Sequence, residues 1–198
     1  MIFVGHSHVR RFGSFTRGAF NGRPQANLGL TRGDFRFACH GEGGMRLDQL
    51  NRPNSASHLF LQLFRGSQTC IMFIGDNDVA NYDPQYLARL IMDKALFIRS
   101  EFNMRNIGIV PLFPRHRGAH GNVNRYNADA GLVNHHLRAM AQGTGITILT
   151  QLFAFPAADQ TMYQRQAPMF RNDGVHLSEF GNRRLYNYLR GVAIRSTR

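Results

Sequence analysis

Four short segments of the chain contain most of the side chains that could take part in chemistry. In chain order they read Gly5-His6-Ser7-His8, His40-Gly41-Glu42-Gly43-Gly44, Gly75-Asp76-Asn77-Asp78 and Asp173-Gly174-Val175-His176. Serine, histidine and aspartate can together supply a nucleophile, a base and a group that orients the base. Glycine and asparagine can supply N–H donors that stabilise a developing negative charge on oxygen. The segments therefore contain the groups that serine-dependent ester hydrolysis requires.

Each group has a definite place in such a reaction. Ser7 offers the hydroxyl that attacks an ester carbonyl, and His176 can accept its proton. Asp173, three residues before His176, can accept a hydrogen bond from the other ring nitrogen and so fix the tautomer. The oxyanion could be held by the backbone N–H groups of Ser7 and Gly44 and by the carboxamide of Asn77. An aspartate in place of Asn77 would repel the oxyanion.

Each segment also has a simpler explanation when it is taken alone. Ser7 could be the N-cap of a helix, where serine is common. The glycine cluster could form a turn that requires positive φ, and Gly41 and Gly43 compete with Gly44 for a place in the oxyanion hole. Asp76 to Asp78 are typical turn residues. The catalytic interpretation depends on whether all four segments lie at the same edge of one sheet.

Alternating apolar and amphipathic segments predict the fold. The five apolar runs, most of them bounded by Gly, Pro, Asn or Asp, indicate buried strands. They cover residues 2–5, 35–39, 70–74, 107–110 and 146–149. Apolar residues at three- and four-residue spacing predict helices over residues 84–102, 124–142 and 178–194, with Ser178 as an N-cap. Leu132 and Phe180 are expected on the apolar sides of the second and third of these helices. We expect a single domain over residues 1–198, a three-layer α/β/α sandwich with about five parallel strands and a flavodoxin-like layout.

This fold would bring the four segments together. In open parallel sheets, binding and catalytic sites lie beyond the carboxyl ends of the strands. Three of the segments directly follow an apolar run, and the fourth directly precedes the last predicted helix. We therefore expect all four at one edge of the sheet.

The order Gly-x-Ser, Gly, Gly-x-Asn-Asp and Asp-x-x-His resembles the four sequence blocks of the SGNH hydrolases, also called the GDSL esterase/lipase superfamily. The similarity extends from Gly5 to the last predicted helix, and Gly181 follows the fourth block as it often does in that family. The resemblance implies the SGNH hydrolase fold and a serine esterase that cleaves acetyl or short acyl esters without a cofactor. It implies a triad and an oxyanion hole formed by Ser7, Asp173, His176, Gly44 and Asn77, with Ser7 in both.

Position 6 departs from the family pattern. Most members have an aspartate directly before the serine, whereas this chain has His6. Because that aspartate is mainly a supporting residue, we expect the proton-transfer steps to remain possible, and we expect His6→Asp to preserve activity. Residues 3–11 are also similar to SGNH-like domains of animal multidomain proteins and of LINE retrotransposon proteins.

The charge balance allows a different class of function. The chain has 24 Lys and Arg residues against 12 Asp and Glu residues, and Lys94 is its only lysine. Arginine suits bidentate contacts with phosphate and carboxylate groups, so nucleic acid or another polyanion is a conceivable partner. The arginines come singly or in pairs, which is equally typical of a solvated surface. The alternative to an esterase is therefore a weak or inactive SGNH-fold module that binds a polyanion through an Arg-rich surface.

Other features of the sequence could form sites. Pairs of histidines raise the question of a metal: His6 and His8, His116 and His120, and His135 and His136. No cysteine or carboxylate cluster has the spacing of a zinc site, so we expect neither a metal nor another cofactor. Residues 151–172 are rich in aromatic residues and could either cover the core or form an apolar wall beside the acyl group. Arg115, His116 and Arg117 follow the fourth predicted strand and could bind an anionic substrate group.

The sequence also predicts a cellular setting. No apolar run approaches the roughly 18 residues of a membrane-spanning helix, and no signal peptide is visible. Cys39 and Cys70 are too few for a disulfide framework, and we expect buried thiols. These features favour a reducing, cytoplasmic location.

Overall fold

The computed structural model describes residues 1–17, 28–30, 37–50, 56–63, 67–117 and 122–196. Within these ranges the chain forms five strands: β1 (Ile2–Gly5), β2 (Ala38–Gly41), β3 (Thr69–Phe73), β4 (Asn106–Ile109) and β5 (Ile146–Ile148). All neighbouring strands pair in parallel, in the spatial order β2-β1-β3-β4-β5. This is the flavodoxin-like order. The prediction of a parallel sheet with about five strands is therefore confirmed.

The helices described by the structure cover both faces of this sheet. They are α1 (Ser7–Arg17), α2 (Ala56–Leu63), α3 (Pro84–Glu101), α4 (Val123–Met140), α5 (Gln160–Arg165) and α6 (Glu179–Ser196). Successive strand residues point to opposite faces. Ile2 and Val4 accordingly lie in one buried cluster with residues of α3 and α4, whereas Phe3 lies in the other with residues of α1 and α6. The three-layer sandwich follows from this alternation.

Some expectations about individual elements were wrong in detail. The second strand begins at Ala38 rather than at residue 35, because backbone pairing continues from Ile2↔Ala38 to Gly5↔Gly41 whatever the polarity of the side chains. Residues 31–36 lie outside the described residues. Leu132 was assigned to the apolar side of its helix but is 50% exposed. The packed stripe of α4 consists of Tyr126, Ala130, Val133 and Leu137, and Leu132 lies off this stripe.

The last helix begins where a serine can cap it. Ser178 precedes α6, and its Oγ accepts a hydrogen bond from the Gly181 N–H at 3.2 Å. Phe180, which was expected on the apolar side of this helix, is 62% exposed, while Leu185 and Leu189 are buried. The Phe180 ring therefore points to solvent, although Gly181 and Asn182 of the same turn are buried.

Both cysteines are free thiols, with Cys70 buried and Cys39 half-buried. Burial raises the pKa of each thiol to about 12. Among the residues that the structure describes, none of the helices combines the length and the apolar character needed to cross a membrane.

Candidate active site

The four chemistry-bearing segments converge at the carboxyl edge of the sheet. Gly5, Gly41 and Phe73 end neighbouring parallel strands, and Gly5 is paired with both of the others. The segment around His176 reaches the same edge, because its ring contacts Ser7 directly after β1. Residues from the two ends of the chain therefore meet at one place.

Ser7, His176 and Asp173 form a continuous chain of hydrogen bonds. Ser7 Oγ lies 3.0 Å from His176 Nε2, and His176 Nδ1 lies 2.8 Å from Asp173 Oδ2. An ionised carboxylate can only accept, so the ring proton belongs on Nδ1 and the Ser7 hydroxyl donates to Nε2. The arrangement leaves Nε2 ready to accept the serine proton.

The Asp173 carboxylate is held in its ionised form. Burial acts to raise its pKa, but hydrogen bonds from the backbone N–H and ring of His176 and from the Val175 N–H lower this pKa to about 2. The two backbone N–H groups donate to Oδ1 at 2.9 and 2.8 Å, which leaves Oδ2 for the ring. Asp173 therefore orients the His176 imidazole with a full negative charge.

The turn that carries Asp173 and His176 is anchored on both sides. The His116 N–H donates to the Gly174 carbonyl at 2.8 Å, and the Arg171 N–H donates to the His176 carbonyl at 2.7 Å. The His116 ring stacks on Tyr163, with 4.1 Å between the ring centroids. The segment after β4 therefore supports the histidine against the start of α6.

Ser7 is the first residue of α1, and His6 occupies the position before the helix. The His6 carbonyl accepts from the Val9 N–H at 3.0 Å and from the Arg10 N–H at 3.5 Å. The Ser7 hydroxyl points to His176 rather than capping the helix. The N-terminus of a helix carries a partial positive charge, which favours negative charge near Ser7.

The three glycines of the second segment have different surroundings. A Cβ at Gly41 would overlap the Arg10 backbone, so glycine is needed there for β2 to pack against α1. The Arg10 guanidinium covers Gly43. Gly44 has φ of +74°, with open space around its Cα. Its N–H finds no acceptor among the residues that the structure describes.

Asn77 lies against the residue that follows Gly44. Its Nδ2 donates to the Met45 carbonyl at 2.9 Å, which uses one of the two amide N–H groups. The other N–H can serve a ligand. This contact puts the Asn77 carboxamide beside the glycine loop, and both follow strands that flank β1.

A buried polar network that the sequence pattern did not predict lies behind Ser7. His6 Nε2 lies 2.6 Å from Asp76 Oδ2, while Asp76 Oδ1 accepts from the Tyr126 hydroxyl at 3.0 Å and from the Phe113 N–H at 3.4 Å. Arg115 donates to the Asp76 carbonyl at 3.2 Å, and its guanidinium lies 3.8 Å from the centre of the Tyr126 ring. The available signal was a histidine at position 6 together with an aspartate directly before Asn77.

The groups of this network differ in charge. Burial acts to raise the pKa of Asp76, but the charge and hydrogen bond of His6, with smaller contributions from His8 and Arg115, hold it well below the usual value. His8 is buried between the rings of His6 and His176, at centroid distances of 5.0 and 5.8 Å. Burial, followed by the nearby charge of His6, lowers the pKa of His8 to about 3. His8 is therefore neutral at physiological pH.

The histidine pairs do not form a metal site within the part of the chain that is described. His6 bonds to Asp76, and neither His135 nor His136 is buried. No group of three or more His, Cys, Asp or Glu residues is arranged to hold a metal ion among the described residues. His120 lies outside them.

Residues 151–172 contain the short helix α5 and contribute aromatic rings to the core. Phe153 is buried between Phe113 and Phe170, at ring-centroid distances of 4.9 and 5.1 Å. None of these 22 residues lines the small cavity beside Ser7. Of the two interpretations, the structure favours a segment that covers the core.

One small cavity lies beside Ser7, and a larger one lies behind two of its walls. A cavity of about 20 Å³ is lined by Ser7, His8, Asn77 and Phe113, among others. A neighbouring cavity of about 520 Å³ shares the walls Arg115 and Tyr126 with it. A third cavity, of about 640 Å³, is lined by residues of β3, β4, β5 and α6, and neither Ser7, Asp173 nor His176 lines it.

The chain has the fold of the SGNH hydrolases, as its sequence pattern predicted. A GDSL-like lipase from Bacteroides thetaiotaomicron is 16% identical, with 98% of this chain and 87% of that chain covered and a TM-score of 0.65. A Slackia heliotrinireducens protein assigned to the SGNH hydrolases is 15% identical, with 96% of each chain covered and a TM-score of 0.65. A mutant of an acetyl-xylooligosaccharide esterase from Geobacillus Stearmophilus is 13% identical, with 97% and 92% covered and a TM-score of 0.62.

At these identities the likeness establishes the fold. No family model and no curated protein matches the chain by sequence.

Proposed function

We propose that this protein is a serine esterase of the SGNH class that hydrolyses acetyl or short acyl esters. The observation that carries the proposal is the hydrogen-bonded chain from Ser7 through His176 to Asp173. Gly44 and Asn77 follow the strands on either side of β1, which is where an oxyanion hole for Ser7 would have to be. The same residues match the sequence pattern of the class.

In the acylation step, Ser7 Oγ attacks the ester carbonyl carbon while His176 Nε2 takes the hydroxyl proton. The carbonyl oxygen becomes an oxyanion, which the N–H groups of Ser7 and Gly44 and the carboxamide of Asn77 stabilise. The bond to the leaving oxygen then breaks, and the proton on His176 passes to the departing alcohol. The positive end of α1 lowers the energy of the same negative charge.

In the deacylation step, a water molecule gives its proton to His176 Nε2 and attacks the acyl-enzyme carbonyl. The second tetrahedral intermediate uses the same donors. Its collapse returns the proton to Ser7 Oγ and releases the carboxylic acid. These proton transfers involve only residues of this chain, so the proposed cycle needs no cofactor.

The cavities favour a short acyl group. A space of about 20 Å³ beside Ser7 is little more than the volume that one water molecule requires. The cavity of about 520 Å³ on the far side of Arg115 and Tyr126 is within the range that binds small organic molecules. We assign the acyl group to the first cavity, which Arg115 and Tyr126 separate from the second. One structurally similar protein acts on an acetylated sugar, and sugar acetates and short acyl lipids are both candidate substrates here.

A fluorophosphonate probe and p-nitrophenyl acetate test this proposal without knowledge of the natural substrate. The native protein is expected to be labelled and to release p-nitrophenol, and Ser7→Ala is expected to do neither, because the covalent route is lost. Ser14→Ala is the matched control, since Ser14 lies on the same helix and donates to the Arg10 carbonyl at 3.1 Å. Labelling that persists in Ser7→Ala would contradict the proposal.

A second candidate function is binding of nucleic acid or another polyanion. Arg10 covers Gly43, and the Arg117 backbone packs against Gly174, so both arginines border the site. Burial, together with the positive charges of Arg171 and Arg10, lowers the pKa of Arg11, which indicates that these three arginines lie close together. Asp173 is near the same group. A rim with more positive than negative groups supports an anionic partner at this edge.

A further inference from the structure

His6 and Asp76 form a buried pair that lies next to the proposed active-site residues in the sequence. His6 directly precedes Ser7, and Asp76 directly precedes Asn77. Their side chains meet at 2.6 Å, across the neighbouring strands β1 and β3. His6 is 3% exposed, and the Asp76 side chain is 14% exposed. One buried hydrogen bond therefore connects the residue before the proposed nucleophile to the residue before the proposed oxyanion donor.

Each partner of this bond is fixed on its own side. The His6 N–H donates to the Phe73 carbonyl at 3.1 Å, and the His8 N–H faces His6 Nδ1 at 3.5 Å. His6 Nε2 is the donor in the contact with Asp76, because an ionised carboxylate can only accept. Asp76 Oδ1 is held by Tyr126 of α4. The bond thus links two rigid elements rather than two mobile side chains.

We propose that His6 and Asp76 are positioning residues that set the separation between Ser7 and the Asn77 carboxamide. This inference rests on the proposed esterase function. Donors of an oxyanion hole must be held within about 0.5 Å of their productive positions. A displacement of about 1 Å can reduce the rate by roughly 10²-fold. A bond one residue away from each group controls such displacements, because a peptide unit transmits the shift directly to the next residue.

The pair also explains the departure at position 6. The family pattern has an acidic residue before the serine, whereas here the acidic residue of the pair stands at position 76 and the partner at position 6 is a histidine. His6→Asp would bring two carboxylates together in a buried place, where like charges disfavour ionisation of both. The expectation from sequence that His6→Asp preserves activity is therefore replaced by an expected loss.

The first test compares two replacements of His6. His6→Leu removes the donor, and we expect kcat for p-nitrophenyl acetate to fall by roughly 10- to 100-fold with KM within about 3-fold, as misplacement of the reacting groups predicts. His6→Gln keeps an N–H donor that can reach Asp76, and we expect it to recover most of this loss. If His6 had only a structural role, less of each variant would fold, and the kcat values of His6→Leu and His6→Gln would be the same.

His135→Gln is the control. His135 is an exposed histidine of α4 and lines neither the cavity beside Ser7 nor its larger neighbour. We expect its kcat within about 2-fold of the native value. An equal loss in His135→Gln and His6→Leu would overturn the proposal.

A double-mutant cycle tests whether the pair acts through Asn77. If it does, the losses in His6→Leu and Asn77→Ala are less than additive in the double variant, because a misplaced donor has little left to lose. Full additivity would contradict the proposal. Should His6→Leu fail to fold, His6→Leu/Asp76→Asn carries the test, since it leaves no buried charge without a partner. That variant is expected to fold and to keep the low kcat.

A crystal structure of His6→Leu gives a result that does not depend on activity. We expect the Asn77 carboxamide to move away from the Met45 carbonyl, from which it is now 2.9 Å. Unchanged positions of Ser7 and Asn77 would overturn the positioning role even if the enzyme is active. Absence of any native esterase activity or labelling would contradict the proposed function instead, and the displacement would still decide the structural part of this inference.

Discussion

Three aspartates at the carboxyl edge of the sheet have the same side chain and different chemistry. Hydrogen bonds lower the pKa of Asp173 to about 2 despite burial, and His6 keeps the pKa of the buried Asp76 low. Burial raises the pKa of Asp78 to about 6, because only one backbone N–H and the charge of Arg46 offset it. Environment therefore gives the three side chains different contacts: Asp173 orients the His176 ring, Asp76 bonds to His6, and Asp78 holds the loop at Leu47.

The proposed oxyanion role of Asn77 predicts an intermediate loss of activity. Asn77→Ala should reduce kcat for p-nitrophenyl acetate by roughly 10²–10³-fold, the usual effect of removing one donor. Ser7→Ala and His176→Ala should each cost more, and the two losses should not add, because serine and base act as a unit. Asn124→Ala, at an exposed position of α4, is the control. A loss confined to KM would contradict the role of Asn77.

The types and order of the site residues could be predicted from the sequence, but their bonds could not. Asp173 and His176 are three residues apart, so their contact depends on local backbone conformation. Ser7 and His176 are separated by 169 positions, and His6 and Asp76 by 70. Contacts over such distances depend on strand order and register, which side-chain types do not specify. The choice of Gly44 over Gly41 and Gly43 likewise rests on backbone conformation and packing.

At the level of elements, the loop that carries Gly44 is held by a buried carboxylate. Asp78 Oδ2 accepts from the Leu47 N–H at 3.2 Å, and Leu47 begins a short 3₁₀ helix, Leu47–Leu50. Leu47 and Leu50 are buried in the core. Together with the bond from Asn77 to Met45, this contact fastens the loop after β2 to the turn after β3. The glycine loop and the asparagine are therefore fixed relative to each other by two independent bonds.

The raised pKa of Asp78 predicts that Asp78→Asn increases the free energy of unfolding in a pH-dependent way. Between pH values of about 4 and 6 the folded protein binds the Asp78 proton more tightly than the unfolded chain does. The contribution of Asp78 to the free energy of unfolding therefore falls as the pH rises through this window. Asparagine keeps an oxygen acceptor for the Leu47 N–H and carries no charge. Asp78→Asn should therefore change the free energy of unfolding little at pH 4 and raise it by about 1–3 kcal/mol at pH 7.

Urea denaturation at pH 4 and pH 7 measures this difference. Asp93→Asn, which changes an exposed carboxylate of α3, is the control and should show no comparable gain between the two pH values. A gain for Asp78→Asn that is the same at both pH values would mean that the buried charge is not its cause.

Long elements could be predicted from periodicity, whereas short ones depend on their neighbours. α3, α4 and α6 each have 18 residues and were expected within a few residues of their observed ends. α2 and α5, with eight and six residues, were not expected, because helices this short are stabilised by packing rather than by their own pattern. β2 was shifted for the same reason, since pairing with β1 decides where it begins.

On the scale of the whole molecule, which has a net charge of +12, arginines lie at both edges of the sheet. Arg10, Arg11 and Arg171 border the proposed active site. Arg105 and Arg195 line the cavity of about 640 Å³ at the opposite edge, where β4 begins and α6 ends. A uniform positive potential would attract any polyanion, whereas a binding site requires that one edge contributes more than the other.

Paired arginine variants separate these two situations. Arg11→Gln/Arg171→Gln and Arg105→Gln/Arg195→Gln lower the net charge equally, by two. If the active-site rim binds a polyanion, the first pair should weaken binding of a fluorescent single-stranded RNA, measured by anisotropy between 50 and 200 mM salt, while the second pair should change it little. The slope of log K against log salt should fall in magnitude by about 1.4 in the first pair, because two phosphate contacts are lost. Equal effects of both pairs would mean that net charge alone attracts the RNA. If the native protein does not bind the RNA at about 50 mM salt, the second candidate function is wrong.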